Sequence, residues 1–110
     1  MNKVICFTDN MFRNKQTFKL AKAWETTNAF FIKSDHELAD EWNRIALEIF
    51  KYIIRIDTGE LLNAWTNEQI DKKSTEFISQ IKSMLDKIGI DDYLLINARH
   101  ICDEALCKLK

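Results

Sequence analysis

The sequence predicts an all-α protein, an up-and-down helical bundle of about four helices, on three observations. Apolar residues recur every three or four positions through most of the chain. Capping signatures stand where several of those runs begin. And the 110 residues contain no Pro and only two Gly, too few breakers for the frequent turns of a sandwich or barrel. No composition shift, repeat or linker interrupts the pattern, so residues 1–110 read as a single helical domain.

The first third is the least regular. Val4-Ile5-Cys6-Phe7 reads as either a short extended N-terminal segment or the buried start of a helix. Phe18, Ala21 and Trp24 place a helix within roughly Asp9 to Thr26. Asn28-Ala29-Phe30-Phe31-Ile32 shows no clean period and is expected to be a connection with buried aromatics.

Ser34 and Glu37 then have the spacing of an S-x-x-E capping box, with Asp35 adding negative charge to a first turn. Leu38, Trp42, Ile45, Ile49, Tyr52 and Ile56 follow at steps of four and three. Ala46, Phe50 and Ile53 widen the stripe into a face suited to a globular core. Leu47 and Ile54, seven apart, fall on another side of the same helix and mark a possible contact with a second chain in a larger assembly.

Asp57-Thr58-Gly59 is a break, followed by a short helix from Glu60 to Trp65. Thr66 and Gln69 form a second capping box, opening a helix to about Ile88 with Phe77, Ile81, Met84 and Ile88 on its apolar face, flanked by Ile70, Ile78 and Leu85. Gly89 stands where a left-handed terminating residue belongs, with Ile90 supplying the usual apolar contact. Asp91 and Asp92 begin the last helix, in which Leu94, Ala98, Ile101 and Ala105 keep the helical step. Lys108 and Lys110 complement the dipole at its end.

Charge is unevenly distributed. Residues 1–33 carry a net +4, residues 34–71 a net −6 and residues 72–110 a net +1, leaving −1 overall. Of the acids in the middle segment, Asp35, Glu37, Glu60, Glu68 and Asp71 fall in or near first turns of helices, where acids are expected on dipole grounds. Asp40, Glu41, Glu48 and Asp57 lack that explanation. With Trp65, the least accounted for of three tryptophans, they are the candidate protein interface, facing a partner with a basic surface. The competing assignment for these positions is a solvated helix face.

The alternative is a nucleic-acid-associated regulator. Arg13, Lys15, Lys19 and Lys22, at steps of two, four and three, set three or four cations on one side of the first helix and form the candidate phosphate-binding patch. The absence of a basic total, with Asp9 and Glu25 alongside, argues against it. A helix-turn-helix threaded on residues 77–107 would lead its recognition helix with two carboxylates, which phosphates repel.

Chemistry is sparse. His36 with Asp40, and His100 with Glu104, are one helical turn apart, yet no CxxC, HExxH, Gly-rich phosphate loop or nucleophile elbow is present. No cofactor, metal or catalytic residue is expected, and the protein is read as no enzyme. Three cysteines in a chain able to build its own core point to free thiols in a reducing cytoplasm. No stretch is apolar enough to span a membrane, and the apolar run at Val4–Phe7 is too short for a secretory leader. By elimination the sequence points to a small protein-binding module. The favoured kind is an inhibitor or neutraliser (immunity protein, antitoxin or phage-type antagonist) acting by steric occlusion.

Overall fold

Why these residues build a bundle is clearest at the helix ends. The computed structural model describes residues 14–89 and 91–107, all helix or short connection with no strand among them. The features expected at Val4–Phe7, Asp9, Arg13, Ile90, Lys108 and Lys110 lie outside the described residues. Helix α1 spans Lys15–Lys33, α2 Ala39–Asp57, α3 Glu60–Ala64, α4 Asn67–Asp86 and α5 Tyr93–Cys107.

Asn14 opens α1, its side chain accepting the Thr17 N–H at 2.9 Å and its carbonyl the Phe18 N–H at 3.0 Å. The helix then runs through Asn28–Ile32, the segment expected to be a connection. The correction has a physical cause. α1 packs against α5, α4 and α2, so its buried residues (Leu20, Ala21, Ala23, Thr27, Phe30 and Phe31 among them) lie on several sides. A helix covered on several sides does not advertise itself as a single apolar stripe.

The same extension overturns the first capping box. Ser34 ends α1, its N–H bonded to the Phe30 carbonyl at 2.9 Å, and α2 begins only at Ala39. The turn between is organised by His36, whose Nδ1 accepts the Leu38 N–H at 3.1 Å and whose ring lies edge-on to Phe31. The expected stripe of α2 faces inward: Trp42, Ile49 and Ile56 are fully buried. Trp42 stacks on Phe31 at 5.6 Å and donates its indole N–H to Asn28 Oδ1 at 3.0 Å, joining α2 to the end of α1. Phe50, expected in this core, is instead 37% exposed.

The break at 57–59 is as expected, with Gly59 left-handed at φ 88°, and Leu61 of α3 is fully buried. Both halves of the Thr66–Gln69 box are made. At the far end of α4 the expected left-handed Gly89 is not found; among the described residues Gly59 alone has positive φ. Arg99 of α5 does the work instead, donating through Nη2 to the carbonyls of Leu85 (3.1 Å) and Ile88 (2.7 Å). The Leu85 carbonyl also accepts the Ile88 N–H at 3.1 Å, and with the guanidinium on both carbonyls the end of the helix needs no glycine motif. Asp92 opens α5 by accepting the Leu94 N–H at 2.8 Å.

Overall extents of 39 × 37 × 21 Å make a slab about two helices thick. A chain of polar groups pins α1, α2 and α4 inside it. The Tyr52 hydroxyl lies 2.9 Å from the Ile70 carbonyl and 2.7 Å from Ser74 Oγ, which lies 2.8 Å from Thr17 Oγ1. Thr17 in turn donates to Asn14 Oδ1 at 3.1 Å. Thr17 and Ser74 are completely buried.

Two predictions follow from these contacts. Tyr52→Phe leaves a buried hydroxyl chain short of a member and lowers stability by about 1–3 kcal/mol, read as a lower urea midpoint. The two glycines separate: Gly59→Ala costs about 1 kcal/mol or more because of its left-handed φ, whereas a Cβ at Gly89 meets nothing within 4 Å and Gly89→Ala is neutral or stabilising by up to about 1 kcal/mol.

Candidate protein-interaction surface

α2 packs against α1 and α3. Its inner face is committed to the core, and the helical period sets Asn43, Leu47, Phe50 and Ile54, at steps of four, three and four, on the side next to it. Leu47 is 56% exposed and Ile54 41% exposed, so with Phe50 three large apolar side chains stand in solvent along one helix. Trp24 of α1 forms the floor beside them, half-buried and stacked on Phe50 at 5.2 Å with ring planes 28° apart. Its indole N–H donates to the Ala46 carbonyl at 3.0 Å. Between Trp24, Asn43, Ala46, Leu47 and Phe50 lies an open hollow of about 230 Å³.

The acidic residues singled out in the sequence do not converge. Asp40 is exposed at the start of α2 and Asp57 half-buried at its end, about 26 Å apart along the axis at 1.5 Å per residue. Glu41 reaches across to α4 and pairs with Lys87 at 2.9 Å. Glu48 is exposed, and Arg44 and Lys51 stand within one helical turn on either side of it. Trp65 belongs elsewhere: half-buried, it tilts against Tyr52 at 6.2 Å and borders a shallow groove of about 200 Å³ with Gln69, Lys72, Lys73 and Glu76.

The basic patch is likewise divided. Lys15 is exposed, Lys19 pairs with Glu104 of α5 at 3.3 Å and Lys22 with Glu25 at 3.8 Å, so two of the three described cations already face carboxylates. Neither histidine is joined to its paired acid by a hydrogen bond. His36 is occupied by the Leu38 N–H, and Glu104 by Lys19. Among the described residues no three His, Cys, Asp or Glu side chains gather in a way that could hold a metal ion, and no helix is long and apolar enough to cross a membrane.

Phe50 and Trp24 are the members of this surface that sequence reasoning missed. The signal was present in Leu47 and Ile54, off the main stripe and seven apart; filling the interval at helical spacing selects Phe50. Trp24 is brought there only by the packing of α1 on α2. Compared with family models, curated proteins and solved structures, the chain finds no match.

The two described cysteines are free and differ sharply. Cys107 is exposed. Cys102 is fully buried, and burial, with Asp103 adjacent, pushes its thiol from 9.0 up to about 12. The folded state therefore holds the protonated thiol, a contribution fully present below pH 9 and lost as pH rises toward 12. At pH 8 iodoacetamide is expected to alkylate Cys107 and spare Cys102, with both modified in urea; peptide mapping reads the difference.

Proposed function

We propose that the chain is a protein-binding module of the inhibitor or neutraliser kind, comparable in mode of action to an immunity protein, antitoxin or phage-type antagonist. In this reading it covers a functional surface of its target by steric occlusion. One observation carries the reading: Leu47, Phe50 and Ile54 are exposed together on one helix face, floored by Trp24. Large apolar side chains gathered on a surface mark contact sites more often than isolated ones do. Aromatic anchors set in a hollow are the usual source of binding energy.

Rigidity supports the same reading. Trp24 is fixed by its hydrogen bond and its stack on Phe50, and the face belongs to a 19-residue helix anchored on its other side. A surface ordered before contact loses little conformational entropy on binding. The free thiols of Cys102 and Cys107 accord with a reducing, cytoplasmic setting.

The test is site-specific photo-cross-linking in cells of the source organism. A photoreactive side chain at position 47 is expected to give a discrete protein adduct, while one at Ser83, exposed on α4, gives none. In the position-47 background, Phe50→Ala is expected to weaken capture by about tenfold or more, with helicity unchanged by circular dichroism. Equal adducts at both positions, or none at 47, overturn the reading.

A further inference from the structure

Resting on the reading of α2 as a contact surface, we infer that its occupant is an amphipathic helix of another protein whose apolar seam is flanked by carboxylates. The spacing of Asn43, Leu47, Phe50 and Ile54 is the alternating four-three repeat of a coiled-coil seam. Over these residues it extends about 16 Å, or three helical turns. The hollow beside Leu47 and Phe50 is bounded by side chains of two neighbouring helices, the kind of hole that receives a knob from a third.

Charge selects the partner. The two borders of the seam are unlike. On one side Ala46 and Ile53 are buried, closed off by the rest of the fold. On the other, Arg44 and Lys51 each follow a seam residue (Asn43 and Phe50) and precede the next by three. Both are exposed, and neither forms an ion pair with a described residue. An approaching helix therefore meets two cations beside the apolar row, and Glu or Asp at its own flanking positions complements them. Glu48 points further round the helix, and Asp40 sits at the seam's N-terminal end.

A second copy of this chain fits poorly. Laid antiparallel, with Leu47 against Phe50 of the copy, it brings Arg44 of each chain beside Lys51 of the other. Laid parallel, it sets Asp40 against Asp40. Like charges oppose each other either way.

Two synthetic peptides of about three heptads test this, identical in their Leu seam and carrying only Glu or only Lys at the flanking positions, so that neither pairs with itself. Titrated by fluorescence anisotropy, the Glu peptide is expected to bind at least about fivefold more tightly than the Lys peptide, a preference that shrinks as salt is raised. Arg44→Glu with Lys51→Glu is expected to invert the preference, and Leu47→Asp to abolish binding of both. Circular dichroism checks that each variant keeps its helicity. No binding of either peptide, equal binding, or a preference that survives the double reversal overturns the inference. The outcomes for the two proposals are separable: a chain that cross-links a cellular protein through position 47 yet fails the peptide test remains a binding module and loses only this partner chemistry.

Discussion

The hydroxyl chain from Tyr52 through Ser74 and Thr17 to Asn14 is the constraint on which the arrangement of helices depends. It crosses from α2 to α4 to α1 inside the core, and two of its members have no access to water. Buried hydroxyls without partners would each cost free energy, and the cost is avoided only at one relative placement of the three helices. Apolar surfaces alone tolerate sliding by fractions of a turn; oxygen atoms at 2.7–3.1 Å do not. The chain ends on two acceptors, the Ile70 carbonyl and Asn14 Oδ1. Three hydroxyl protons serve three of the four contacts at a time, and either direction of donation keeps the link between the helices. Burial of Tyr52 raises its hydroxyl further above the ordinary tyrosine range.

Fixing the inner face of α2 decides what its outer face can be. Tyr52 and Trp42 hold the helix from one side, through Ser74 of α4 and Asn28 of α1, and on the outer side Trp24 of α1 reaches Phe50 while Leu47 and Ile54 stay exposed. Leu47, Phe50 and Ile54 cannot turn inward without pulling Ile49, Tyr52 and Ile56 out, because the two sets lie on different sides of the helix. Their exposure is the geometric consequence of a core satisfied without them.

How far the sequence could be read follows from which interactions are local. The Thr66–Gln69 box and the Gly59 break are encoded within four residues, and both stand where expected. Ser34–Glu37 had the same local grammar but lost to a longer helix before it, whose continuation stacks Phe31 on Trp42. Gly89 lost to Arg99, ten residues further on in sequence. In each failure a tertiary partner took over a job that local spacing assigned to a neighbour. The core positions of α2 and α4 were legible because each helix is covered mainly on one side. Those of α1 were not, because it is covered on several.

The candidate surface shows the same limit in electrostatic form. A segment with a net charge of −6 suggests an acidic patch, but a helix distributes its residues over 360°, and net charge carries no direction. Asp40, Glu41, Glu48 and Asp57 spread around and along α2, and Glu41 is taken up by Lys87. What borders the exposed apolar row is set by the positions that follow Asn43 and Phe50, and there the chain has Arg44 and Lys51. Long-range attraction depends on the sum of charges over the whole surface, with contact selectivity decided by the few charges that are desolvated beside the apolar row. In this fold the sum is acidic over the middle segment while the border of the seam is basic. Over the whole chain the charges sum to only −1, so what the seam presents is set by its own basic border rather than by the acidity of the segment that carries it.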